Sequence, residues 1–132
     1  MEQVVLDSAR CILCTPVESD HVRLKDFEER NRDHLSPWRS TVLEPDHKTQ
    51  IARWNQEFEE KRSVRFFLFL KEELEGKLIG CCNFTQVFRG PFQACYLGYH
   101  IDSSYEGKGL MSEAVQRAIQ YMFEQQNLHR ID

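Results

Sequence analysis

Two glycines flank a lysine in a short polar loop, Gly107-Lys108-Gly109. The loop follows a run of apolar and aromatic residues typical of a β-strand, and it precedes a segment whose apolar residues repeat with helical spacing. A strand that enters a helix through such a loop brings unpaired backbone N–H groups and the positive end of the helix together. The glycines also lack the Cβ atoms that would keep a pyrophosphate from the backbone, and Lys108 adds positive charge. The sequence therefore predicts a phosphate-binding loop, although a plain strand-to-helix turn has similar residues.

The loop differs from the two standard nucleotide-binding motifs. The glycine that opens G-x-x-x-x-G-K-[ST] is absent ahead of the lysine, and Ser112 stands where G-x-G-x-x-G requires its third glycine. These differences argue against a nucleotide hydrolase and against a dinucleotide-dependent enzyme.

The strand before the loop carries side chains that can move protons. His100 is a candidate catalytic base, because an imidazole with an ordinary pKa near ~6.5 can take a proton from an α-amine that titrates near ~8. Tyr99 is a second catalytic candidate and Tyr96 a candidate for substrate binding, each through its hydroxyl group. All three residue types also occur as packing residues in strands. Cys95 offers an alternative route, in which its thiol would carry the transferred group as a covalent intermediate.

The cysteines are read as core residues rather than as ligands or disulfides. There are five, an odd number in a chain without a visible secretion signal, which indicates reduced thiols. Cys11 and Cys14 have the spacing of a metal site, but residues three apart on a strand point to opposite faces. We therefore expect no bound metal.

The composition is that of an ordinary globular protein of about one domain. Of 132 residues, 41% are hydrophobic and 29% charged, and 17 basic and 21 acidic side chains give a net charge of −4. No basic run can follow a nucleic-acid backbone, and the longest apolar run, 66–70, is far shorter than the roughly 18 residues of a membrane span. We therefore expect a cytoplasmic protein without nucleic-acid or membrane partners.

Hydrophobic periodicity predicts the elements that position these residues. Apolar residues at intervals of three and four indicate helices at 20–32, 46–61 and 110–123, with Asp46 capping the second. Runs rich in β-branched and aromatic residues indicate strands at 11–15, 64–70, 77–86, 94–101 and 128–132. The order predicts an α+β fold in which helices flank a mixed, mostly antiparallel sheet, as one domain over 1–132.

Residues 105–114, Tyr-Glu-Gly-Lys-Gly-Leu-Met-Ser-Glu-Ala, resemble the acetyl-coenzyme A signature Q/R-x-x-G-x-G/A of the GNAT superfamily of N-acetyltransferases. The strand at 94–101, the Leu-Ser-Pro-Trp loop at 35–38 and the closing His-Arg-Ile at 129–131 are similar to its Rim-type branch, the ribosomal-protein alanine N-acetyltransferases. The resemblance extends along nearly the whole chain and implies a GNAT-like fold.

The resemblance also implies roles for particular positions. Backbone groups of Tyr99, His100 and Ile101 would pair with the pantetheine arm of acetyl-CoA as with an added strand, and one N–H would polarise the thioester carbonyl. Trp38 and Tyr96 would lie on the acceptor side. The cosubstrate's pyrophosphate would be held by the loop and the first helical turn, at Glu106, Gly107, Lys108, Gly109, Leu110, Met111 and Ser112.

The sequence departs from the family pattern at three places. Glu106 stands at the Gln/Arg position and brings a carboxylate near the pyrophosphate. Met111 replaces the usual Gly or Ala, although the Rim-type branch accepts methionine there. Family members continue past the position of Asp132, and the residue that protonates the leaving thiolate lies in that continuation. We therefore expect a domain incomplete at its C-terminus, whose open sheet edge favours association with a second copy.

The implied reaction is acetyl transfer from acetyl-CoA to the α-amine of a protein N-terminus, an alanine or serine of a ribosomal or other protein. Two alternatives stay open. One is acetylation of a small amine such as an amino acid, polyamine or antibiotic. The other is a CoA-binding or interaction module without turnover, which the incomplete cleft would explain.

Overall fold

The computed structural model describes residues 3–32, 46–73, 76–88, 94–126 and 130–131. Within these ranges the chain forms a six-stranded sheet whose spatial order follows the sequence order. Neighbouring strands are antiparallel except for the last pair, which is parallel. The strands are β1 (Val5–Asp7), β2 (Cys11–Cys14), β3 (Val64–Leu70), β4 (Gly80–Phe88), β5 (Ala94–Ile101) and β6 (Arg130–Ile131).

Three α-helices accompany the sheet in the described ranges: α1 (His21–Arg30), α2 (His47–Glu59) and α3 (Leu110–Gln125). Asp46 caps α2 as predicted, because its side chain accepts a hydrogen bond from the backbone N–H of Lys48 at 3.0 Å. None of these helices combines the length and the apolar character needed to cross a bilayer.

The helices cover both faces of the sheet because the side chains of a strand alternate between its faces. In β3, Phe66 points towards α3 and meets Tyr121 edge to face, with ring centroids 5.5 Å apart. Phe67 points to the other face and packs in one cluster with Leu24 of α1 and Ile51 of α2. Two apolar layers therefore hold the central strands, and with them β5 and the loop that follows it.

The α+β class and the mixed sheet are confirmed, and β3 and β5 have the predicted bounds. The strand β1 was not predicted, because a three-residue strand carries too short a pattern. The strand β4 begins at Gly80 rather than at position 77 and continues to Phe88. Its pairing with β5 is irregular around Gln86, which has a φ of 51°.

Candidate active site

The loop between β5 and α3 has the backbone of an anion-binding loop. Gly107 and Gly109 have φ angles of 74° and 76°, a left-handed conformation that residues with a side chain rarely adopt. Gly109 is the N-cap of α3, and no side-chain hydrogen bond caps this end. The N–H groups of Leu110, Met111 and Ser112 therefore have no acceptor within the helix. Together with the positive helix end, these amides suit a phosphate.

The side chains of the loop leave this backbone open. Met111 is buried in the apolar layer beneath α3, so it offers only its backbone to a ligand, and Glu106 is exposed. Lys108 places its Nζ 5.6 Å from the ring centroid of Tyr105. The hydroxyl of Tyr105 donates to Glu73 at 3.0 Å, and burial raises the pKa of this phenol. The lysine is thus held beside the loop by an aromatic ring that is itself fixed.

The turn between β1 and β2 contacts the first turn of α3. Glu113 accepts hydrogen bonds from Ser8 Oγ at 2.7 Å, from the backbone N–H of Arg10 at 2.6 Å and from Arg10 Nε at 3.0 Å. The backbone N–H of Arg10 and then the Ser8 hydroxyl hold the pKa of Glu113 below its usual value. A Cβ at Gly109 would lie 3.4 Å from Arg10 Nη2. Arg10 therefore adds positive charge beside the loop, a contribution that sequence analysis missed.

The end of α1 fastens the start of the same loop. Arg30 forms an ion pair with the buried carboxylate of Asp102, and its Nη2 donates to the carbonyl of Leu78 at 2.8 Å. The buried side chain of Asn31 accepts a hydrogen bond from the backbone N–H of Ser103 at 3.0 Å. The residues where β5 ends and the loop begins are therefore tied to the helix on the opposite side of the sheet from α3.

The candidate residues of β5 divide between the two faces of the sheet. His100 pairs with Cys81 and points towards α1 and α2, while Tyr99 pairs with Cys82 and points to the α3 side, where its side chain is half exposed. Tyr96 shares the face of His100 by the two-residue period and is also half exposed. The side chains of the two catalytic candidates, His100 and Tyr99, therefore do not meet at one point of the site. Trp38 lies outside the described residues.

One edge of β5 is open where the cosubstrate is expected. The strand pairs with β4 along 94–101, but its pairing with β6 in the described residues is limited to Ala94 and Cys95. The backbone groups of Tyr99 and Ile101 point outward and therefore have no strand partner among those residues, whereas those of His100 face β4. An extended ligand arm can pair there as an added strand, and it would then lead to the glycine loop.

A cavity of about 160 Å³ lies between α1, α2 and strands β3 to β5, and we call it the Gln50 cavity. The Gln50 side chain is 9% exposed, and its Oε1 has no hydrogen-bond partner in the described part of the chain. An unmatched buried oxygen of this kind costs about 1–3 kcal/mol. The cavity is lined by the polar residues Gln50, Glu28, Asn83 and His100 and by the less polar residues Leu24, Phe27, Trp54, Phe67, Leu78 and Cys81.

The cysteines are free thiols on both sides of the sheet. Cys11 is buried in the layer beneath α3, whereas Cys14 lines a different cavity near Asp20 and Arg23, so the two do not face one site. Burial raises the pKa of Cys14 to about 11 and that of Cys82 to about 12. Among the described residues, no group of three His, Cys, Asp or Glu side chains is arranged to hold a metal ion.

A mixed sheet with a glycine loop at the start of a helix and an open neighbouring strand edge is the arrangement of an acyl-coenzyme A-dependent transferase. The family model of the acetyltransferase (GNAT) domain matches residues 10–132. The chain therefore belongs to the GNAT acetyltransferase family and is an N-acetyltransferase by descent.

Several relatives of known name belong to the Rim-type branch. A [ribosomal protein uS5]-alanine N-acetyltransferase of Escherichia coli K12 is 37% identical over 135 residues, which cover 98% of this chain and 68% of that protein. The crystal structure of a ribosomal-protein-S5-alanine acetyltransferase from Vibrio fischeri superposes with a TM-score of 0.87 at 32% identity, covering 97% of this chain and 72% of that one. RimJ of Mycobacterium smegmatis, solved with CoA-disulfide, shares the fold with a TM-score of 0.82 at 22% identity, over 98% of this chain and 66% of that one.

Proposed function

We propose that this protein transfers the acetyl group of acetyl-CoA to the α-amine of a protein N-terminus, an alanine or serine of a ribosomal protein. The observation that carries the proposal is the 37% identity, over almost the entire chain, to an enzyme named for that reaction. A ribosomal acceptor would place the reaction in the cytoplasm. As a secondary property, we propose that the open sheet edge associates with a second copy of the chain.

The residues present fit acetyl-CoA. The left-handed glycines and the unpartnered amides of α3 suit its pyrophosphate, and Lys108 and Arg10 supply positive charge beside them. The unpaired edge of β5 suits the amide groups of its pantetheine arm. Acetyl-CoA supplies an activated acetyl group whose carbonyl carbon is open to attack by an amine.

In this reaction the acceptor ammonium first loses a proton. Its nitrogen then forms a bond to the acetyl carbonyl carbon, the carbon–sulfur bond breaks, and the CoA thiolate takes up a proton. We assign the polarisation of the carbonyl to an outward-facing backbone N–H of Tyr99 or Ile101, and the removal of the ammonium proton to the His100 imidazole. Tyr96 and Trp38 are proposed to contact the acceptor. The hydroxyl of Tyr99 is proposed to orient the acceptor amine from the other face of β5.

The proposal is tested by incubating the protein with acetyl-CoA and peptides that begin with Ala or Ser. We expect the peptides to gain one acetyl group by mass, and the same peptides with a blocked N-terminus to gain none. A panel of amino acids, polyamines and aminoglycosides is run in parallel. If only the small amines are acetylated, the acceptor is a small molecule rather than a protein. If the protein binds CoA but acetylates no amine, it is a binding module without turnover.

A further inference from the structure

The Gln50 cavity contains a polar atom for which the described residues supply no partner. Gln50 lies in the first half of α2, and its side chain is directed inward with only 9% exposure. Its Oε1 accepts no hydrogen bond from the described residues, although nearly all buried side-chain oxygens in folded proteins do. An N–H group entering the cavity from outside would complete it.

The charge around the cavity favours a cationic donor. The Glu28 carboxylate lines the cavity and contacts Nε2 of His47 at 2.6 Å. Asn83 adds an amide on the β4 side. An amine or ammonium can therefore be met by oxygen acceptors rather than by competing cations, since no Lys or Arg is among the described residues that line the cavity.

The size and walls of the cavity limit what can accompany that donor. A volume of about 160 Å³ equals roughly five water molecules, enough for one short side chain and its backbone nitrogen. The remaining walls are largely apolar, with Phe27, Trp54 and Phe67 among them. His100 of β5 forms one wall of the cavity. The cavity therefore lies next to the strand edge that we assign to the cosubstrate.

We propose that the Gln50 cavity receives the first residue of the acceptor polypeptide, with Gln50 Oε1 accepting a hydrogen bond from an N–H of that residue. Gln50 is then a specificity-determining residue that selects a small N-terminal residue carrying a free amine. This inference rests on the proposed N-terminal acetyltransferase function. It also gives a partner to the buried Gln50 oxygen, which has none among the described residues.

The test replaces Gln50 by methionine, which keeps the length of the side chain and removes its amide. Because an unmatched polar atom disappears, we expect Gln50→Met to raise the denaturation midpoint or leave it unchanged. We expect its affinity for an Ala-initiated peptide, titrated calorimetrically in the presence of CoA, to fall tenfold or more, with CoA affinity unchanged. Gln56→Met, on the exposed side of the same helix, is the matched control and should change neither affinity.

A second measurement uses the unchanged protein. Peptides that begin with Ala, Ser, Leu or Trp are titrated, and we expect affinity to fall as the first side chain outgrows the cavity. Normal peptide binding by Gln50→Met, or equal binding of the Trp-initiated peptide, would refute the cavity assignment while leaving acetyl transfer to the N-terminus intact. Failure of the unchanged protein to bind or acetylate any N-terminal peptide would overturn both proposals.

Discussion

At the scale of single residues, the site depends on the backbone N–H groups at the start of α3, which two left-handed glycines leave accessible. Gly107 and Gly109 adopt left-handed conformations, and the helix they precede has no side-chain cap. We propose that a ligand phosphate takes the place of that missing cap. Side chains contribute mainly charge, from Lys108 and from Arg10, which lies in the turn between β1 and β2.

A first prediction concerns Gly107, where an added Cβ meets no atom within 4 Å. Asn and Asp tolerate left-handed backbone better than other side chains and have the same shape, so the pair Gly107→Asp and Gly107→Asn isolates charge. We expect the Asp variant to bind acetyl-CoA at least tenfold more weakly than the Asn variant, measured by calorimetry. Equal affinities would show that no phosphate lies at this loop.

A second prediction concerns Glu113, whose pKa is held below its usual value of 4.5. A carboxylate with a depressed pKa stabilises the fold fully above its unfolded-state pKa, and this contribution disappears as the pH falls through the folded-state pKa. Glu113→Gln should therefore lower the urea midpoint at pH 7, and this deficit should shrink as the pH falls below 4.5. Glu124→Gln, at an exposed position near the other end of α3, serves as the control. A deficit that persists at the acid pH would contradict an electrostatic origin.

At the scale of elements, the end of α1 contacts the start of the glycine loop, which is proposed to bind the cosubstrate. Arg30 and Asn31 hold the side chain of Asp102 and the backbone of Ser103, where β5 passes into the loop. The loop is thus clamped between α1 on one face of the sheet and α3 on the other. A change at the end of α1 is therefore expected to alter cosubstrate binding through this loop.

A third prediction follows for Asn31, which is 1% exposed. Asn31→Ala removes the acceptor of the Ser103 N–H and should destabilise the protein by about 1–3 kcal/mol in urea unfolding. We also expect the KM for acetyl-CoA to rise, because the loop loses its anchor. Gln56→Ala removes an exposed contact to Glu60 and should change stability by no more than about 0.5 kcal/mol. An unchanged KM in the Asn31 variant would show that the loop keeps its conformation without this anchor.

Periodicity predicts the elements better than it predicts the contacts between them. The bounds of β3 and β5 and the start of α3 follow from local patterns, and so does the glycine loop between the last two. The contact of Arg10 with Glu113 joins residues 103 apart, and that of Arg30 with Asp102 joins residues 72 apart. No local pattern encodes such pairs, and the Gln50 cavity requires three strands and two helices to be in place before it exists.

At the scale of the whole molecule, the sheet separates the loop that is proposed to bind an anion from the cavity that is proposed to bind an amine. The anion-binding loop belongs to β5 and α3, and the Gln50 cavity opens on the face covered by α1 and α2. The strand β5 borders both, because His100 and Tyr99 point to opposite faces. In the proposed reaction, the acetyl group and the amine would therefore approach β5 from different directions.

The last prediction uses this separation. A ligand that binds the folded state at one hundred times its dissociation constant stabilises it by about 2.7 kcal/mol, which for a chain of this size corresponds to a shift on the order of 10 °C. We expect CoA to raise the melting temperature by about this amount and phosphate-free pantetheine at the same concentration to raise it far less, because the loop supplies the phosphate contacts. The Gly107→Asp variant should lose most of the CoA shift while Gln50→Met retains it. Equal shifts by CoA and pantetheine would mean that the β5 edge, and not the glycine loop, holds the cosubstrate.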